Sequence, residues 1–285
     1  MVVVKIEKMK ILIFGNGYFA RRIKDLLDDE VIISKVRVKE KRDVTDEILI
    51  HNPDVVINCA GKTGRPNIDW CEDNKGVTAE SNIIVPLVIA DVCEHTATQM
   101  VHLSSGCIFE GDKNFTEKDE PNFYGSFYSA TKLITEKLLA SKFKDVLQLR
   151  LRIPLDDIFT PKNVIYKITK YKRVIDTANS ITYVPEFVRI MKQLIEKKQT
   201  GIFNVVTKGI MTYPEILKLY NEIVDPDFKY IVMSVNQMEK ETAARRSNCT
   251  LSSEKLEKLG IKVSNIRDLM PGILENIRRD KKCEE

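Results

Sequence analysis

The stretch Lys10-Ile11-Leu12-Ile13-Phe14-Gly15-Asn16-Gly17-Tyr18-Phe19-Ala20 runs from an apolar strand through two glycines into a helical pattern. A short, continuous apolar run bounded by a turn reads as a strand covered on both faces, and residues 18–27 repeat with helical periodicity. In the Gly15-x-Gly17-x-x-Ala20 spacing, the first glycine makes the tight turn and the second lets the backbone approach a pyrophosphate. Ala20 permits close helix–strand packing, and the helix N-terminus stabilises the anion. A strand, a glycine turn and a helix in that order form the opening unit of a dinucleotide-binding α/β fold. Gly15, Asn16, Gly17, Tyr18 and Phe19 are accordingly its first cofactor candidates.

Outward from that unit, strands are expected at 31–36, 54–60, 100–103 and 146–151. Helices are expected at 72–93, 127–141, 163–171 and 185–197, and a further strand at 202–206. Apolar strands alternating with helices define a doubly wound parallel sheet of Rossmann type, wound by right-handed crossovers. Residues 1–152 form the cofactor domain, to which 181–206 return. Residues 153–180 and 207–285 form a smaller, mainly helical C-terminal lobe that closes over the substrate.

The bulk numbers suit a soluble enzyme: 285 residues, 43% hydrophobic, 30% charged, net charge +4. No basic block interleaved with aromatics points to nucleic acid. No apolar run approaches the roughly 18 residues that span a bilayer, and the start is too short and too charged for a signal peptide. Six cysteines without C-x-x-C spacing and three histidines give no metal cluster, and a reducing, cytoplasmic compartment with free thiols is expected. The basic tail Arg278-Arg279-Asp280-Lys281-Lys282 reads as a frayed, solvated terminus.

An NAD site carries an acid about 20 residues past the glycines. Here Lys35, Arg37 and Lys39 occupy that region, with no acid until Glu40. Basic groups suit a 2′-phosphate, so NADPH is the expected cofactor, with Arg37 on the phosphate and Asp43 towards the adenine. Ala60, Gly61 and Lys62, after the third strand, lie where backbone must pass the cofactor.

The chemistry is written in Ser104-Ser105-Gly106-Cys107 and Tyr128-Ser129-Ala130-Thr131-Lys132. The Tyr-x-x-x-Lys spacing places both side chains on one helical face. The ammonium is expected to lower the phenol's pKa, letting Tyr128 protonate a carbonyl oxygen that Ser105 polarises. On an extended segment Cys107 would face the same pocket as Ser105.

These residues, in this order, resemble the extended short-chain dehydrogenase/reductase family. Four segments narrow the resemblance: 63–72 (TGRPNIDWCE), 106–110 (GCIFE), 121–129 (PNFYGSFYS) and Arg246-Ser247-Asn248. With them the chain resembles the dTDP-4-dehydrorhamnose reductase branch and, more closely, bifunctional 3,5-epimerase/4-reductases of UDP-L-rhamnose synthesis. The resemblance implies NADPH-dependent conversion of UDP-4-keto-6-deoxy-D-glucose, with Ser105, Tyr128 and Lys132 reducing C4. It implies Cys107 and Lys167 as the proton-transfer pair at C3 and C5. Arg65, Asn67, Asp69, Ser104, Arg246 and Asn248 become substrate candidates, and Asn82 a brace for the catalytic helix. It also implies a keto-sugar supplied by a separate 4,6-dehydratase, and a homodimer through the two long helices. A 4-reductase without epimerase activity and a non-catalytic NADP-binding regulatory subunit are the alternatives.

Overall fold

The computed structural model describes the backbone of residues 8–284 and side chains through Lys281. The signal-peptide reading of residues 1–7 and Cys283 lie outside the described residues. Six parallel strands form the central sheet: β1 (Lys10–Phe14), β2 (Glu30–Ile33), β3 (Val55–Asn58), β4 (Gln99–Ser105), β5 (Val146–Leu151) and β6 (Gly201–Asn204). Their order is β6-β5-β4-β3-β1-β2, so the order reverses between β1 and β3. In a doubly wound sheet that reversal opens the crevice where ligands bind.

Strand alternation sorts the core. Ile11, Ile13, Ile57, Val101 and Leu149 face α1 (Tyr18–Leu26) and a helix at Val184–Glu196. Leu12, Phe14, Val56 and Met100 face α2 (Lys41–His51), α3 (Lys75–His95) and α4 (Phe127–Lys142). Successive strand side chains point to opposite faces, so both faces must be apolar.

The helix expected at 72–93 is instead interrupted. Asn74 separates a short turn at Trp70–Asp73 from α3, and α3 carries a π-helical turn at Glu80–Ile84. By length and composition this 21-residue helix is apolar enough to cross a membrane. It is not a continuous apolar run, since Glu80, Ser81, Asn82 and Asp91 interrupt it. Its buried residues Val85, Ile89, Val92 and Cys93 pack into the α2/α4 side of the core.

A second apolar core joins α5 (Val164–Tyr171), α7 (Tyr213–Ile223) and α8 (Ile266–Glu284) around the segment after β5, while α6 (Val184–Glu196) stays with the first; Ile165, Ile168, Leu217, Tyr220, Met270 and Leu274 are buried in the second. The basic tail is part of α8, not frayed. Arg278 pairs with Glu275 at 2.7 Å, Asp280 accepts from the Phe159 N–H at 3.3 Å, and Lys281 donates to the Tyr220 hydroxyl at 2.9 Å.

Candidate active site

At the switch point the loops after β1 and β3 touch. Gly15 has φ +99°, and a Cβ there would lie 2.5 Å from the Ala60 backbone nitrogen. Only glycine permits both the turn and the approach. Gly17 caps α1 without a side chain, leaving the first-turn N–H groups for a ligand. A cavity of about 350 Å³ opens here, lined by Gly15, Asn16, Lys35, Arg37, Ala60 and Glu80 among others. Arg37 is exposed and lies 3.6 Å from Glu80.

Several cofactor candidates have other work. The Asp43 carboxylate accepts from the N–H groups of Lys39 (2.7 Å) and Glu40 (3.1 Å), closing a capping box on α2. Helix capping is thus a second task for the carboxylate expected towards the adenine. The Phe19 ring packs edge-on against Phe187, so that side chain belongs to the core. The Tyr18 hydroxyl donates to Asp156, whose carboxylate Arg22 also grips at 2.7 and 3.0 Å. Burial, then Asp156, pushes that phenol's pKa up. Lys62 is held through its backbone: its N–H donates to Asn82 Oδ1 (2.7 Å) and its carbonyl accepts from Asn82 Nδ2 (3.0 Å). Asn82 also donates to Thr131 Oγ1 at 3.1 Å, and its carbonyl accepts from Thr135 at 2.5 Å. It therefore ties the loop after β3 to α4, the bracing expected of it.

Ser126 caps α4 by accepting from the Ser129 N–H at 3.0 Å. Two residues past that cap, Tyr128 hydrogen-bonds Ser105, whose hydroxyl oxygen also accepts from the Cys107 N–H at 3.1 Å. Burial pushes the Tyr128 phenol up, the Cys107 charge acts in the same direction, and Ser105 opposes them. The expected lowering of this phenol by Lys132 is not what the structure holds. The Lys132 ammonium is turned to the β4 backbone, donating to the Leu103 carbonyl at 2.8 Å with His102 Nε2 at 3.4 Å. Burial lowers Lys132 to about 8, while Glu136 and Cys107 pull the other way.

Ser104 points away from Ser105, as alternation requires. It is buried and donates to Glu136 Oε2 at 3.0 Å. Glu136 pairs with Arg150 of β5 at 2.6 and 2.8 Å, both residues fully enclosed. Ser104 is thus corrected from substrate ligand to scaffold.

β4 ends at Ser105, so Cys107 reaches the site through a turn rather than by strand alternation. A Cβ on Gly106 would meet Leu251 Cδ1 at 2.6 Å. Cys107 Sγ accepts from Arg152 Nη1 at 3.1 Å. Arg152 is buried and also donates to Asn179 Oδ1 through Nε (3.2 Å) and Nη2 (2.5 Å), and to the Ser247 carbonyl. Burial works against the Arg152 charge, but Cys107 and Cys249 outweigh it and raise its pKa. Lys167, on α5, is half-buried. Burial and then Lys162 lower its pKa, and Cys107 raises it. Lys162 in turn feels Arg65.

Asp69 and Arg246 are assigned separately to substrate by sequence, yet they form a bidentate pair with both contacts at 2.9 Å. Burial raises Asp69, but Arg246 and the Ala244 N–H outweigh it and hold the carboxyl low. Asn67 accepts from the Asp69 N–H at 2.8 Å, and Asn248 Oδ1 accepts from Asn179 at 3.1 Å. In this structure Asn67, Asp69, Arg246 and Asn248 tether the 244–248 strap to the loop after β3 and to Asn179.

Sequence reasoning passes over Arg152, Asn179 and His102. A signal for Arg152 exists: a charged residue just past a central strand's C-terminal end sits where such sheets bind ligands. His102, between apolar residues of a buried strand, carries none until its register with Asn58 is known. Among the described residues no group of three or more His, Cys, Asp or Glu could hold a metal ion.

The parallel sheet with a glycine turn at its switch point, and the serine–tyrosine–lysine set beside it, define a Rossmann-type reductase/epimerase fold of short-chain dehydrogenase kind. The chain belongs to the RmlD substrate binding domain family, whose model matches residues 9–279. It is 36% identical over 230 residues to a bifunctional dTDP-4-dehydrorhamnose 3,5-epimerase/dTDP-4-dehydrorhamnose reductase of Arabidopsis thaliana, covering 78% of this chain and 76% of the relative. It is also 36% identical over 263 residues to a trifunctional UDP-glucose 4,6-dehydratase/UDP-4-keto-6-deoxy-D-glucose 3,5-epimerase/UDP-4-keto-L-rhamnose-reductase of the same plant. That match covers 88% of this chain but 39% of the relative, so the chain spans about two fifths of the trifunctional protein's length. The crystal structure of the UDP-rhamnose synthase of Acanthamoeba polyphaga mimivirus superposes with a TM-score of 0.90 at 33% identity, covering 95% of this chain and all of that one.

Proposed function

We propose that the protein is an NADPH-dependent 3,5-epimerase/4-keto-reductase that converts UDP-4-keto-6-deoxy-D-glucose to UDP-L-rhamnose. What supports this most is the gathering, at the end of β4, of a proton donor for oxygen and a thiol–amine pair for carbon. Ser105 hydrogen-bonds Tyr128, and Cys107 shares an electrostatic environment with Lys167. The names of the plant relatives and of the mimivirus enzyme point the same way.

The Gly15 cradle, the open α1 N-terminus and the basic rim of Lys35 and Arg37 fit a dinucleotide with a 2′-phosphate. NADPH, when bound, supplies the hydride for C4. The chain's own residues do the rest. The C4 ketone acidifies the hydrogens at C3 and C5. Of Cys107 and Lys167, one takes each proton as base and the other returns one to the opposite face as acid. Ser105 then holds the C4 oxygen while Tyr128 gives it a proton, and Lys132 would hold the cofactor ribose and supply the proton that restores the phenol. The second core carries Lys167 and, with Arg65, forms the substrate side of the cleft. The ketone is made by a 4,6-dehydratase reaction. Dimerisation uses α3 and α4, where Ile84 and Ile134 are 51% and 44% exposed.

Incubation with UDP-4-keto-6-deoxyglucose and NADPH in deuterated water tests the reading. Product NMR should show rhamnose labelled at C3 and C5, and Cys107→Ala should abolish the labelling. Product with unchanged configuration at both carbons leaves the 4-reductase alone. Failure to oxidise NADPH with any keto-sugar rejects the enzyme reading altogether.

A further inference from the structure

His102 is a buried titratable group with no part in the chemistry above. It lies on β4 directly beside Asn58 of β3, facing α4, and is 1% exposed. Asn58 Nδ2 is 3.1 Å from His102 Nδ1, and Lys132 Nζ is 3.4 Å from His102 Nε2. The orientation of the Asn58 amide is fixed independently, because its Oδ1 accepts from the Ala60 N–H at 2.9 Å. Turning the amide over would set NH₂ against N–H. Asn58 therefore presents a donor to Nδ1, and Nδ1 must be the acceptor. Burial, and then the Lys132 charge, keep the ring neutral. A neutral imidazole carries one proton, so that proton resides on Nε2, pointing at Lys132.

We propose that His102 is a positioning residue whose Nε2–H donates to the Lys132 amine lone pair, favouring neutral Lys132 and making it a reversible proton carrier behind Tyr128. An ammonium offers only N–H groups to that face; a neutral amine offers the lone pair an Nε2–H needs. The inference rests on the Tyr128/Lys132 reduction proposed above. The step balances. Tyr128 gives its O–H proton to the C4 oxygen, a proton relayed from the Lys132 ammonium restores the phenol, and the amine left behind accepts the His102 hydrogen bond until solvent restores its proton. A carrier works best when it titrates near the working pH, and Lys132, lowered by burial to about 8, does so. The other ionisable groups that act on it are Glu136, committed to Arg150, and Cys107, in the turn after β4; both favour the ammonium. His102 is the group on the opposite side.

Two measurements test this, one of which needs no turnover. In protein labelled with 15N-histidine, His102 should be found as the neutral Nε2–H tautomer throughout roughly pH 6 to 9. An Nδ1–H tautomer or an imidazolium overturns the proposal whether or not any keto-sugar is reduced. In the second, NADPH oxidation by the wild-type protein should fall as pH rises through the Lys132 titration near 8. His102→Leu removes the donor and should move that limb up by roughly half to one pH unit. His102→Gln keeps an acceptor for Asn58 and a donor for Lys132, and should restore the limb to its wild-type position. Identical limbs in all three proteins overturn the proposal. If His102→Leu does not fold, the tautomer and the position of the limb in His102→Gln still decide. Absence of NADPH oxidation in the wild type counts instead against the reduction itself.

Discussion

The two halves of the site are built in opposite ways. The oxygen-handling half is one strand against one helix: residues two apart on β4 meet residues four apart on α4. His102 faces Lys132, and Ser104 faces Glu136. The half proposed to handle carbon is assembled from five places in the chain: Cys107, Arg152, Lys167, Asn179 and Ser247. The first half inherits its precision from the sheet. The second depends on the second core sitting correctly over it, which is how one fold can carry a reductase with or without a second activity.

The largest expected effect separates the halves directly. Tyr128→Phe should cut NADPH-dependent reduction by roughly 10²–10⁴-fold while deuterium exchange at C3 and C5 persists. Exchange lost in parallel would show that the halves do not act independently. Next, the rigidity of the first half rests on the enclosed Glu136–Arg150 pair. Arg150→Leu leaves Glu136 as a buried, uncompensated charge and should cost about 3–5 kcal/mol in urea unfolding. A loss under about 1 kcal/mol would mean the pair is dispensable.

Arg152→Met removes a charge-assisted hydrogen bond to the thiol. It should slow exchange at C3 and C5 by roughly 10- to 100-fold while leaving reduction of already inverted UDP-4-keto-L-rhamnose within a few-fold of wild type. Equal losses in both assays would assign Arg152 to the shared scaffold instead. Lys132 offers a trade of stability against function. Its pKa is about 8 when folded against an ordinary 10.5, so the unfolded chain holds more protons between those values. Folding stability therefore rises with pH across that window, and the burial penalty is fully present below it. Lys132→Met should accordingly be more stable than wild type by about 1–3 kcal/mol at pH 7, the gap closing towards pH 10, even as reduction is lost. The smallest effect belongs to the rim. Arg37→Gln, at an exposed position, should raise the KM for NADPH a few-fold and leave that for NADH unchanged. No change would move the phosphate contact to Lys35.

The same contrast explains what could be read in advance. The strand–turn–helix of 10–26 and the return of 201–204 to the sheet follow periodicity, and the structure reproduces them. What one-dimensional reasoning could not supply is the neighbour, distant in sequence, that each side chain meets. Asp69 and Arg246 found each other across 177 residues, Tyr18 found Asp156, and Ser104 turned to Glu136. Asp43 acquired a local task as well, because a carboxylate at the third helical position closes a capping box.

By itself the sequence determined the parallel α/β architecture, the glycine cradle and the chemistry of the oxygen. Apolar period and i, i+4 spacing are local properties, and the chain carries them wherever it folds. Only the tertiary structure decided which charges face one another. Arg152 became the partner of Cys107, Lys167 came under the electrical influence of the same turn, and Asn58 was set beside His102. Each depends on the register of strands and the seating of two cores, and electrostatic and hydrogen-bond energies act through space rather than along the chain.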